Sequence, residues 1–152
     1  MRHRVSAAGI VVRDDALLLV RHVQPGLYDF YVPPGGGLEG AESVLEGAER
    51  EVFEETGLLV RALRPVYVQE IIEPDARILK TFVLCEERGG YRTPDHRVPG
   101  ERDRLAEARF VPTAELPTLN VVPMVFRGEF RHDLAAGASS LRYLGTERAS
   151  VM

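Results

Sequence analysis

Between Pro33 and Val60 the chain reads PPGGGLEGAESVLEGAEREVFEETGLLV, a stretch that leaves its backbone few choices. Ser43 and Glu46 stand at the Ser-x-x-Glu spacing of a capping box, which starts a helix. Gly57 can take the left-handed conformation that closes one. The interval predicts a helix of roughly a dozen residues, near the usual length. On a wheel of about 100° per residue, Val44, Leu45, Ala48 and Val52 share one stripe, the face that packs inward. Just ahead, Gly35-Gly36-Gly37 lets the backbone approach a ligand closely.

The same stretch holds seven glutamates. Glu51, Glu54 and Glu55 relate as i, i+3 and i+4, so they are neighbours on a surface that adjoins the buried stripe. Like charges so placed cost about 0.2–0.5 kcal/mol per pair, and partial burial raises that cost. A hard divalent cation would offset it: Mg2+ prefers oxygen ligands, keeps several waters and joins carboxylates to substrate phosphates. The competing reading is a solvated acidic face, with Arg50 relieving Glu54 one turn on. The capped helix and the glycine turn beside the patch favour the cation. GGGLEGAES lacks the Gly-Lys-Ser/Thr ending of a P-loop, and its glycines lack the dinucleotide-binding spacing.

A chain of 152 residues is one domain's worth, enough to bury a core unaided. Its 45% hydrophobic and 28% charged content is that of a soluble globular protein. A formal net charge of -4 argues against general nucleic-acid binding, but nucleotides remain accessible through a bound cation. Cys85 stands alone, so there is no disulfide framework, and a cytoplasmic location is the simplest expectation. The N-terminal apolar runs, broken by Arg13-Asp14-Asp15, are too short to span a bilayer. No membrane association is expected.

Val5–Val12 and Ala16–Arg21 read as a hairpin turning at Asp14-Asp15. HVQPGLYDFYVPPGGG reads as a loop, punctuated by Pro and Gly. After the helix, LLVRALRPVYVQEII and ARILKTFVLCEE read as strands, and AEARFVP as a shorter one. Arg88–Arg104 is a polar segment longer than most loops, which reads as a binding loop or a mobile one. TAELPTLNVVPMVFRGEF reads as a helical turn and a short helix. Residues 1–135 are expected to form the single domain. The tail, 136–152, frays or adds LRYLG as an edge strand.

The motif residues Gly36, Glu42, Arg50, Glu51, Val52, Glu54, Glu55, Gly57 and Leu58 resemble the Nudix box at every specified position. The resemblance extends, more softly, over roughly residues 3–130. It implies an α/β fold, a mixed sheet sandwiched between helices as α/β/α, and a hydrolase of nucleoside diphosphates linked to another group. Its cofactor would be Mg2+, with Mn2+ as substitute. By motif position, Glu51, Glu54 and Glu55 resemble the metal ligands, joined by the Gly35 carbonyl. Glu51 is the first choice for the base that activates water, with Glu54 also catalytic. Gly36, Glu42 and Arg50 would support the cluster.

Many proteins of the family take a further carboxylate from beyond the box, for which Glu107 is the candidate and Glu101 the second. Arg21, Tyr31 and Arg77 are candidates to meet substrate, with Lys80, the only lysine, behind them. Strand-end solvation is the ordinary alternative for Arg21. Pro74 falls sixteen residues after Leu58, a spacing seen in ADP-ribose hydrolases of the family; it is also simply a turn residue. The expected partner is a small nucleotide. Homodimers are common in the family. A nucleotide sensor without turnover is the alternative function, disfavoured because every box carboxylate is kept.

Overall fold

A computed structural model of the chain describes residues 1–91 and 105–149. Strand β1 (Arg2–Arg13) turns into β2 (Ala16–Gln24) through Asp14 and Asp15, whose φ values of 48° and 60° are both left-handed. Two such residues make the mirror-image turn whose twist suits a hairpin. Beyond it β1 divides its pairing. From Arg2 to Val11 it runs parallel to β6 (Ala76–Tyr91), and over Ser6–Ala8 it also pairs antiparallel with β4 (Gly35–Gly37); its end, Val12 and Arg13, pairs with β2. The strand therefore joins two sheets. One runs β4-β1-β6-β5-β8, where β5 is Leu58–Glu73 and β8 is Arg142–Arg148. In the other, β2 carries β3 (Tyr28–Val32) and β7 (Leu105–Pro112).

Helix α1 (Val44–Thr56) lies on one face of the first sheet. Ala48 and Val52 pack there with Ala7, Val11 and Val83. The approach is close, because a Cβ on Gly9 would collide with Val52 Cγ2. The opposite face is covered by 3-10 turns at Thr113–Thr118 and Met124–Arg127 and by the short α2 (Phe130–Ala135). Phe126 meets Tyr67 and Phe82 edge-on there, at 5.7 and 5.4 Å between ring centroids. The sandwich of sheet between helical layers is the expected one, with strands predominating.

Two expectations need correction. The stretch read as a loop before the glycines contains β3 and β4. Tyr28–Val32 pairs with β2 from Val20 to Gln24, and the glycines pair with Ser6–Ala8. Cross-strand partners far away in sequence supply what local propensity withholds. The helical turn expected after β7 is the 3-10 turn with Pro117 inside it, but the short helix expected next is a second 3-10 turn, capped by Pro123, with the α-helix itself starting only at Phe130. In the tail, β8 runs parallel to β5 as an edge strand.

Candidate active site

Helix α1 begins as its sequence dictates. Ser43 accepts from the Glu46 backbone N–H, and Glu46 reaches back to the Ser43 N–H, closing both halves of the capping box. Gly57 ends it at φ 80°, its N–H bonded to the Phe53 carbonyl. These caps fix the rotation of the helix. Glu51 and Glu55 consequently point toward the glycine strand and are only 5% and 3% exposed.

Each carboxylate is positioned by a named group. The Gly35 N–H donates to Glu55 Oε2 at 2.8 Å, fastening the helix end to β4. Arg50 occupies the centre. Its guanidinium meets Glu42 at 2.7 Å, Glu51 at 3.0 Å and Glu54 at 3.0 Å, and donates to the Gly37 carbonyl at 3.0 Å. The hydrogen bond from Arg50 lowers the pKa of Glu42 below its ordinary value. In return Glu42, then Glu51, raises that of Arg50. Gly36 lies against Glu51: a Cβ there would sit 2.6 Å from Oε1. Only glycine leaves that carboxylate its place.

Three other expected residues meet on the second sheet. Arg21 on β2 has Tyr31 of β3 on one side and Glu107 of β7 on the other. The Tyr31 hydroxyl donates to Glu107 Oε1 at 3.0 Å. Arg109, which the sequence did not single out, joins the group by donating to Glu107 and to the Tyr31 hydroxyl, both at 3.3 Å. Arg21 forms a two-point pair with Asp29, at 2.9 and 2.7 Å. Arg77 stands apart, paired with Glu70 at 3.3 Å. Glu101 and most of the Arg88–Arg104 segment lie outside the described residues.

The fit of a divalent cation can be judged from the donors. Among the described residues, no three His, Cys, Asp or Glu side chains converge on one point as a ready ligand set. Arg50 holds Glu51 and Glu54 on one side, while Gly35 holds Glu55. The chemistry is nevertheless that of a hard-cation site. Three carboxylates share one helix edge, two of them buried, beside a side-chain-free strand. Mg2+ needs only one or two carboxylates when substrate phosphates complete its shell, so the residues fit such an ion.

Sequence comparison agrees with this geometry. Residues 2–127 match the NUDIX domain, and the chain belongs to that family. The ADP-ribose pyrophosphatase of Methanocaldococcus jannaschii is 29% identical over 117 residues, covering 76% of this chain and 65% of that protein. A MutT-like protein of Streptomyces ambofaciens is 48% identical over 59 residues, covering 38% of this chain and 36% of its own length. The chain thus spans less than two thirds of these curated relatives. Among solved structures, a NUDIX hydrolase from Nitrosomonas europaea matches with a TM-score of 0.70 at 22% identity, covering 93% of each chain. An ADP-ribose pyrophosphatase from Streptococcus suis matches at 0.61 and 21%, covering 95% of this chain and 98% of its own. Likeness at that identity shows the shared fold alone.

Proposed function

We propose that the chain is an Mg2+-dependent pyrophosphohydrolase acting on a nucleoside diphosphate linked to another group: ADP-ribose, a nucleotide sugar or a nucleoside triphosphate. One observation carries this reading. Glu51 and Glu55 are buried beside Gly35 and Gly36, with Arg50 holding Glu51 and Glu54 along the same edge. Such a concentration of anionic side chains matches a site for a cation rather than a packing surface.

A divalent ion bound there would neutralise pyrophosphate oxygens and lower the pKa of a water. Glu51, Glu54, Glu55 and the Gly35 carbonyl would hold it. Glu51 would accept the water's proton, with Glu54 as the second catalytic carboxylate. Arg50, anchored by Glu42 and the Gly37 carbonyl, keeps both carboxylates aimed. Arg21, Tyr31 and Glu107 form a second polar group suited to substrate or to a further cation contact, and Arg77 is a more distant phosphate contact. Among the described residues no helix is long and apolar enough to cross a membrane. A cytoplasmic enzyme, with Mn2+ able to replace Mg2+ and a homodimer as its assembly, completes the proposal.

ADP-ribose is the first substrate to try. The archaeal relative is named for it, and Pro74 has the spacing seen in such hydrolases. The test is product analysis after incubation with Mg2+ and a panel of ADP-ribose, nucleotide sugars, nucleoside triphosphates, dinucleoside polyphosphates and NADH. Release of a nucleoside monophosphate from one compound supports the proposal. Metal-dependent binding of nucleotides with no turnover would replace it with a sensor.

A further inference from the structure

A cavity of about 600 Å3 lies between β5, β8 and the segment from Val122 to Gly128. It opens on the sheet face opposite α1. Gln69 shares that face with Tyr67, two residues earlier, whose ring meets Phe126. Gln69 forms the floor; it is 8% exposed and donates through Nε2 to Glu147 Oε2 at 3.3 Å. Val122, Pro123, Met124 and Leu144 supply apolar walls. Arg142, the one cation among the described lining residues, is already committed to Glu129 at 2.7 Å and Asp133 at 2.6 Å. What remains is an apolar slot ending in an amide and a carboxylate. That lining suits a flat, neutral group carrying N–H donors.

The slot is linked along its own face of the sheet to β4, the edge strand that Glu51 and Glu55 lie against. Gln69 of β5 faces Lys80 of β6, Lys80 faces Ser6 of β1, and Ser6 faces Gly37 of β4. Three strand spacings make this row ~14 Å long, comparable with an extended nucleoside diphosphate. Lys80, the only lysine in the chain, lies midway. Its Nζ stands 5.2 Å from the Phe82 ring centroid, on the face of the cavity. Burial lowers its pKa, while Glu55 and then Glu51 oppose the shift.

We propose that this cavity is a base subsite for nucleobases carrying an exocyclic amino group, and that Lys80 holds the phosphate chain between the cavity and α1. The inference rests on the functional reading above and deepens it. Ring faces pack against Pro123, Met124 and Leu144. The amino group donates to Glu147, and the Gln69 amide offers both a donor and an acceptor to the neighbouring ring edge. Hypoxanthine carries a carbonyl oxygen where adenine carries its amino group, and so sets lone pairs against the carboxylate.

Calorimetry with AMP and IMP, which differ in the C6 substituent and in the proton on N1 beside it, tests the base subsite without turnover; the Gln69 amide, donor and acceptor at once, can meet either form of N1, which leaves C6 to discriminate. The wild type is compared with Glu147→Ala and Met124→Ala, both exposed positions where loss of the fold is not at issue. AMP is expected to bind at least about tenfold more tightly than IMP, as for a hydrogen bond to a charged acceptor. Glu147→Ala should erase the preference, and Met124→Ala should weaken both ligands. Reductive 13C-methylation gives Lys80 the single lysine resonance of the protein. That resonance should shift with AMP and with inorganic pyrophosphate, the latter also in Glu147→Ala. Equal affinities, a preference that survives Glu147→Ala, or an unmoved lysine resonance would overturn the proposal. Turnover of a pyrophosphate without base preference would sink the subsite and leave the enzyme standing. An AMP preference abolished by Glu147→Ala in a protein that turns nothing over would do the reverse.

Discussion

Gly36 and Glu51 fit together only because one of them has no side chain. A Cβ at Gly36 would lie 2.6 Å from Glu51 Oε1 and 2.9 Å from Cδ, closer than real contacts allow. Glu51 is 5% exposed and cannot simply swing into solvent. Gly36→Ala is therefore expected to cost about 1–3 kcal/mol of stability, as overpacking does, and to reduce kcat at least tenfold by displacing the carboxylate. Thermal melts and steady-state kinetics on one preparation read both effects; native values for both would show that the carboxylate is free to move.

Arg50 is the hub of the carboxylate edge, and its removal leaves several anions facing one another. Arg50→Met should destabilise the fold by about 3 kcal/mol, the lower end for breaking a largely buried pair. Added Mg2+ should recover part of that loss, because an ion that binds only the folded state stabilises it. Denaturant melts with and without Mg2+ measure the recovery. A variant as stable as wild type would remove Arg50 from its assigned place.

The Arg50 hydrogen bond that lowers the Glu42 pKa also sets a pH dependence. A carboxylate whose pKa is lower when folded contributes stability that is present above its unfolded value, about 4.3, and lost as pH falls through the folded one. The melting temperature should therefore decline as the solution is acidified below the ordinary glutamate range. Glu42→Gln should start lower at neutral pH and decline less. Parallel curves for the two proteins would contradict the assignment.

Helix α1 owes its rotation to its caps. Ser43→Ala removes the side-chain acceptor of the capping box and should cost about 1 kcal/mol, or roughly 3 °C in Tm for a domain of this size. The kcat should fall only slightly, since Gly35 and Arg50 hold the carboxylates independently. A melting temperature unchanged within error would mean the helix start is fixed by other contacts.

Legibility from sequence followed the range of the interactions. Helix α1 was readable to within a residue because Ser43, Glu46 and Gly57 act locally. The burial of Glu51 and Glu55 followed from their place beside the Ala48–Val52 stripe. Strands β3 and β4 were not readable, because Tyr28–Val32 and three glycines become strands only through β2 and β1. The same holds for the site. Arg50 and Glu42 were found by their positions in the Nudix-box resemblance, whereas Arg109 meets the Tyr31 hydroxyl across 78 residues, a contact that no local pattern announces. Lys80 was visible as a substrate candidate behind Arg21; its place between Gln69 and Ser6 is a property of strand register.

In the proposed function the glutamates of α1 hold a divalent ion for hydrolysis. Its most direct test is the Mg2+ dependence of kcat for the best substrate of the panel, in wild type and Glu54→Gln. Wild-type turnover should be abolished by chelation and restored by Mg2+. In Glu54→Gln turnover should be at least a hundredfold lower at every Mg2+ concentration, with the fold intact by melting. Turnover in Glu54→Gln equal to wild type, or wild-type turnover indifferent to chelation, would contradict the proposed function.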